Sequence, residues 1–323
     1  EQIIVKDGVL SHPNGLAASF GELSQLAALQ PVPKEVNLKD SRNFSLIGKT
    51  KLSRKDLGKS DGSAIFTQDL YMEGLLTAVV AHAPRFGAKV ASFDGKRAGE
   101  VRGVKEIVQI PNGVAVLADS FWSAKQGRDA LVITWDYSSA MEEGSVELIR
   151  RYKEAAKDEG VVAEELGDNS KGFAGAEKVL EAEYEFPFLA HASMEPMNCV
   201  AQISSDGIEM WYGCQGPTMD QYAVASALGI KPDQVKINTL FAGGSFGRRA
   251  NKDSDFVVEA ALIAKACSSD SPIKLVWTRE DDTQSGYFRP MYYHKMKAGL
   301  NAEGRIVAWE HKIVGQSIIS GTA

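Results

Sequence analysis

The chain has 323 residues, 44% hydrophobic and 24% charged, with a formal net charge of −6. That length buries a large core and suits two domains; the acidic balance argues against a general nucleic-acid binder, and no apolar run approaches the ~18 residues that cross a bilayer. Cys199, Cys214 and Cys267 are too few and too widely spaced for a disulfide framework, a zinc site or an iron–sulfur cluster, and read as small buried thiols.

Residues 1–57 are short and mixed: a turn at Lys6-Asp7-Gly8-Val9, then a helix over Phe20–Leu29 that Pro31 and Pro33 end. Ser19, with Glu22 three residues on, reads as its capping box. A second section opens near Gly58 and carries strand patterns at Leu75–Ala81, Val104–Ile110, Gly113–Ala118 and Leu131–Trp135, with a helix over Ser120–Asp129. Strands and helices in this mixed order predict an α+β unit rather than a regular βαβ wind. A polar helix over Val146–Asp158 follows; its charges of both signs at i,i+3 and i,i+4 read as a solvated face rather than a docking surface. Gly167–Gly172 is a turn-rich boundary, which places divisions at 1–57, 58–168 and 169–323.

In the third section Ile208, Met210 and Tyr212 alternate as a strand that ends at Gly213, leaving Gln215 between Gly213 and Gly216. Thr218 with Gln221 reads as a capping box for the next helix, which Gly229 closes before Pro232. Val235, Ile237 and Thr239 form another strand, and Phe256, Val257, Ala260, Leu262, Ile263 and Ala266 have helical spacing. Between them lies Gly243-Gly244-Ser245-Phe246-Gly247-Arg248-Arg249. A glycine-rich turn between strand and helix lets backbone N–H groups approach an anion, and two arginines add planar forks suited to phosphate. The other reading is a tight turn with a solvated basic pair. The G-x-G-x-x-G and Gly-Lys-Ser/Thr patterns of dinucleotide folds and P-loops are absent. His12, His82, His294 and His311 lack the spaced carboxylate or thiol partners of a zinc site, and no G-x-S-x-G nucleophile setting occurs.

The glycine loop resembles the pterin-dinucleotide loop of xanthine dehydrogenase and aldehyde oxidase type molybdenum hydroxylases, most of all isoquinoline 1-oxidoreductase beta subunits and related bacterial aldehyde dehydrogenases. His191–Asn198, Trp211–Pro217, Trp277–Asp282, Gly286–Pro290 and Ile110–Val116 resemble further landmarks of that family in the same order. The resemblance implies an α/β-hammerhead domain followed by the first part of a molybdenum-cofactor-binding domain. It implies a molybdenum–molybdopterin cytosine dinucleotide held by Gly243, Gly244, Ser245, Phe246, Gly247, Arg248 and Arg249, with the metal bound through the pterin and by no side chain. The resemblance further implies that Gln215 sits beside the metal and that Phe246 faces the substrate; without it, Gln215 reads as a loop amide bonded to its own backbone and Phe246 equally as an apolar anchor. His191, Met194 and Glu195 line or brace the cavity.

The implied activity is oxidative hydroxylation of an N-heteroaromatic or an aldehyde with water as oxygen source, electrons leaving to 2Fe-2S clusters on a small partner subunit. Purine is a lesser alternative, because Arg248, Arg249 and Ala250 stand where purine-oxidising relatives have Gly-Lys-Glu. A different class also fits: a non-catalytic cofactor-binding or interaction module of the same fold. Ser317–Ala323 ends without a capping element, and the resembled subunits are about twice as long, with their general-base glutamate in the C-terminal part. The chain therefore reads as a middle section, inactive by itself, of a periplasmic or alternatively cytoplasmic protein.

Overall fold

The computed structural model describes residues 2–36, 38–48 and 58–318, so residues 319–323 of the uncapped end lie outside it. The chain separates into two compact units, 1–57 and 58–323. In the first, β1 (Ile4–Lys6), β2 (Val9–Ser11) and β3 (Ala17–Ser19) form an antiparallel meander, followed by α1 (Phe20–Ala28). Asp7 and Gly8 both take positive φ in the first hairpin, as a tight two-residue turn requires. The Ser19–Glu22 box is formed: the Ser19 hydroxyl accepts from the Glu22 N–H at 3.2 Å, and the Glu22 carboxylate accepts from the Ser19 N–H at 2.7 Å.

The second unit begins with α2 (Gly58–Asp61), β4 (Leu76–His82), β5 (Lys89–Asp94), α3 (Lys96–Gly99), β6 (Val104–Ile110), β7 (Gly113–Ala118), α4 (Phe121–Asp129) and β8 (Val132–Asp136). After α5 (Ser145–Ala155), α6 (Asn169–Ala174) and β9 (Lys178–Phe186) come β10 (Asn198–Ser204), β11 (Gly207–Gly213), α7 (Pro217–Leu228) and β12 (Val235–Leu240). The described part ends with α8 (Asp255–Ala266), β13 (Ile273–Val276), α9 (Arg279–Gln284), β14 (Tyr292–Leu300) and β15 (Ile306–Gly315). Seven strands form one mixed sheet in the order β12-β11-β10-β13-β4-β7-β6; β9, β14 and β15 form a second sheet, and β5 pairs with β8.

The main core lies where α7 and α8 cover one face of the seven-stranded sheet; Val79, Ala118 and Ala124 pack α4 against the other. All six residues of β7 are buried, as befits a strand covered on both faces. The division at 168 is therefore not a division of the core. Strand β13 pairs in parallel with β4, Leu275 opposite Ala78, so strands from both sides of residue 168 share one hydrogen-bonded sheet. A strand buried on both faces needs a ladder on each edge, and β13 finds one in β10 and the other in β4.

Two local readings change. The turn-rich Gly167–Gly172 holds the first turn of α6, whose N-cap Asp168 accepts from the Lys171 N–H at 3.0 Å. Helix α7 begins at Pro217, with Gly216 as N-cap and no side-chain cap. Proline at the first helical position already has the right φ and lacks one of the orphan donors. Gln221 accordingly donates to the Val235 carbonyl at 2.9 Å, tying α7 to β12 rather than closing a box. Gly229 does end the helix in the left-handed region, at φ 72°.

Candidate site at one edge of the mixed sheet

Sheet topology gathers the candidate residues. Strands β11 and β12 run parallel with Gly213 opposite Leu240, so the loops leaving their C-terminal ends emerge side by side. Strand β10 is antiparallel to β11, and the 191–197 segment enters it at that same edge. Strand β13 delivers Trp277 there, β4 ends there at His82, and the β6–β7 turn brings Asn112. Ligands in open α/β sheets bind at such carboxyl ends.

The glycine loop is held against the 193–195 segment. Gly243 donates to Glu195 Oε2 at 2.8 Å, and the Glu195 N–H returns a bond to the Gly243 carbonyl at 3.0 Å. A Cβ on Gly243 would lie 2.5 Å from that of Glu195, so only glycine allows this approach. Gly247, at φ +96°, faces open space instead. Among the described residues, the N–H groups of Gly244, Ser245, Phe246 and Gly247 have no protein acceptor. Runs of successive open N–H donors are the feature from which anion-binding concavities are built.

Gln215 and the loop are brought together: Ser245 Oγ donates to Gln215 Oε1 and accepts from the Arg249 N–H at 3.0 Å. Gln215 thus braces the loop through its carbonyl rather than through its own backbone, and its amide N–H₂ has no acceptor among the described residues. Behind it, Asp220 on α7 is buried and accepts from Tyr212 Oη at 2.8 Å and Cys214 Sγ at 3.1 Å. Burial and the bond to Asp220 push the Cys214 thiol up to about 12, so it is a hydrogen-bond donor and not a nucleophile. Cys214 and Cys267 are half-buried, and only Cys199 is fully enclosed.

The arginine pair is neither solvated nor open to a ligand. Arg248 and Arg249 are 2% and 1% exposed. Arg248 makes a bidentate pair with Asp255 at 2.9 and 2.7 Å. Arg249 donates to the Gly244 carbonyl at 3.1 Å, the Gly213 carbonyl at 3.1 Å and Glu195 Oε2 at 3.0 Å. Their forks grip the protein's own carboxylates and carbonyls, because two buried guanidinium charges must find internal partners. The donors that the loop leaves open are therefore its backbone N–H groups.

Phe246 is 79% exposed and sits at φ 55°, so its ring does not pin the loop to the core of this chain. Ala192 and Ser254, at φ 47° and 49°, flank the same edge; among the described residues, three of the four non-glycine residues in this costly region therefore gather at one place, as strain does at functional sites. Burial and the nearby Arg248 charge push His191 below its usual pKa, and its buried Nδ1 has no partner among the described residues. Met194 is exposed, while Glu195 braces the loop.

One residue escaped the sequence reading. Glu259 on α8 is fully buried; Oε1 accepts from His82 Nε2 and Asn112 Nδ2, both at 2.7 Å, and Oε2 from Trp277 Nε1 at 2.6 Å. His82 therefore has a carboxylate partner distant in sequence. The signal lies in α8, where Asp255 and Glu259 stand four apart on one helical face, the rest of the helix being apolar up to Lys265 in its last turn.

A solved structure of quinoline 2-oxidoreductase from Pseudomonas putida 86 matches 81% of this chain and 38% of its own with a TM-score of 0.62 at 18% identity, which establishes the shared fold. The chain belongs to the molybdopterin cofactor-binding domain family, whose model matches residues 153–320. Among curated relatives, isoquinoline 1-oxidoreductase subunit beta of Brevundimonas diminuta is 30% identical over 90% of this chain. The protein named membrane-bound aldehyde dehydrogenase [pyrroloquinoline-quinone] of Gluconacetobacter polyoxogenes is 29% identical over 85%. The chain spans 38% and 37% of those two relatives. No helix among the described residues is long and apolar enough to cross a membrane.

Proposed function

We propose that this chain is the cofactor-orienting section of a molybdenum hydroxylase subunit that oxidises an N-heteroaromatic or an aldehyde and passes electrons to an iron–sulfur partner subunit. The observation that carries the reading is the open N–H run of Gly244–Gly247 beside the open amide of Gln215, in a chain of the molybdopterin cofactor-binding family. Those donors fit the phosphate oxygens of a pterin dinucleotide, for which we favour the cytosine form. Gly247 leaves the approach clear, and Arg248 and Arg249 hold the loop from beneath. When bound, the cofactor supplies two-electron oxidation with water as the oxygen source. Gln215 presents a neutral amide donor toward it, on a mount stiffened by Asp220. Phe246 offers a flat apolar face on which an aromatic or aldehydic substrate stacks. Residues 58–168 correspond to the α/β-hammerhead part of such a subunit.

Elemental analysis of the full-length protein, with mass spectrometry of the nucleotide it releases, tests this. Molybdenum and a pterin cytosine dinucleotide are expected; a quinone cofactor with no molybdenum overturns the reading. This chain alone is expected to reduce no dye with an aldehyde or an N-heterocycle.

A further inference from the structure

Beneath the loop, the Glu259 cluster links parts of the fold that are far apart in sequence. Trp277 offers a single indole N–H and nothing else polar; Glu259 Oε2 receives it at 2.6 Å, which fixes the ring's orientation. The other carboxylate oxygen receives His82 and Asn112. Two oxygens serving three donors is a task for a carboxylate, because an amide at this place would turn its own N–H₂ toward a donor. The Trp277 ring in turn touches the His82 ring, with centroids 4.7 Å apart. It also lies beneath the Arg248 guanidinium, whose central carbon is 5.4 Å from the ring centroid. Arg248 closes the glycine loop through its N–H, which donates to the Ser245 carbonyl at 3.1 Å. Asp255 and Glu259, one helical turn apart, thus hold the guanidinium and the ring on which it rests.

We propose that Glu259 is a positioning residue for the anion-binding loop: it fixes Trp277, Trp277 supports Arg248, and Arg248 sets the presentation of the 244–247 donors. The proposal rests on the cofactor-binding reading for its purpose but not for its test. Hydrogen exchange of the full-length protein is compared at the hydrogen-bonded amides of the loop, Gly243, Arg248, Arg249 and Ala250, and in β7, which is fully buried. Glu259→Gln and Trp277→Phe are each expected to speed loop exchange at least tenfold, leave β7 at the parent rate, and lower cofactor retention. Combined, they should do no more than either alone, since they break one chain of contacts. Should Glu259→Gln fail to fold, Trp277→Phe carries the test alone. Loop exchange at the parent rate, or equal acceleration in β7, overturns the proposal. A loosened loop in a protein that never held a pterin dinucleotide upholds the proposal while removing the function assigned to the loop.

Discussion

Arg248 and Arg249 are 2% and 1% exposed, whereas Phe246, two residues earlier in the same loop, is 79% exposed. On the lower side most guanidinium donors meet Asp255, Glu195 or a carbonyl, while the buried Arg248 Nε has no partner among the described residues. The upper side is a row of unmet donors beside an exposed ring. Adjacent residues of one short segment thus answer to different physics. Below, a buried charge without a partner is penalised heavily; above, an open donor awaits an acceptor from outside. Substitutions below should cost folding, and substitutions above should cost function.

The largest effect is expected from Arg249→Ala, which leaves the Glu195 carboxylate without its counter-charge, held by the Gly243 N–H, and frees the Gly213 and Gly244 carbonyls. Breaking one partner of a buried pair costs about 3–5 kcal/mol. Urea unfolding should show a loss of that order, and Glu195→Ala combined with it should cost less than the sum of the two. A loss below 1 kcal/mol would mean that the lower side is not the folding side.

Gln215→Ala comes next and acts on the other side. Removing one well-placed donor from an active site costs ~10²–10³-fold in rate. Turnover per bound molybdenum should fall by that much while the melting temperature stays near that of the parent. A fall of less than about threefold, ~0.6 kcal/mol on the transition-state scale, would leave Gln215 with only its bond to Ser245.

His82 tests the lower side by pH. Burial by itself pushes this imidazole's pKa down; the Glu259 carboxylate and its hydrogen bond, with Asp281 adding and Arg128 opposing, more than reverse that, so the pKa lies above the usual value. The unfolded residue titrates near ~6.5. Below that both states carry the proton and the full contribution is present. As pH rises toward the folded pKa, the unfolded state has lost its proton and the folded state has not, so stability falls. The slope for one proton is at most about 1.4 kcal/mol per pH unit. His82→Gln should flatten unfolding midpoints measured above neutrality, and an unchanged slope would remove His82 from the account.

The strands that define the site edge were legible where apolar residues run together, as in β7, or recur with an approximate period of two, as in β6 and β12, and so was α8. Strand β10, Asn198–Ser204, has no such period and was missed; its first four residues are buried and flanked by two partner strands. The proximity of Gln215 to the glycine loop was not visible in spacing. It follows from the parallel pairing of β11 with β12 and entered the sequence reading through family resemblance alone. The arginines were misjudged for a similar reason: their partners Glu195 and Asp255 are carboxylates that composition counts as surface charge, and tertiary structure alone brings them beneath the loop.

The smallest expected effect concerns Phe246. Its ring is exposed, so truncation to alanine removes little packing and should move stability by no more than about 0.5 kcal/mol. Glycine at this position accepts φ 55° without the roughly 1–2 kcal/mol cost that a side chain carries there, although it loosens the unfolded chain by about 0.4–1 kcal/mol. Phe246→Gly should therefore be neutral to slightly more stable than the parent. If the ring stacks on substrate, both variants lose an aromatic contact worth about 0.5–1.5 kcal/mol, a two- to tenfold rise in KM with bound molybdenum unchanged. A destabilised Phe246→Gly with an unaltered KM would assign the ring to packing against another part of the full-length protein and dissolve the contrast between the two sides of the loop.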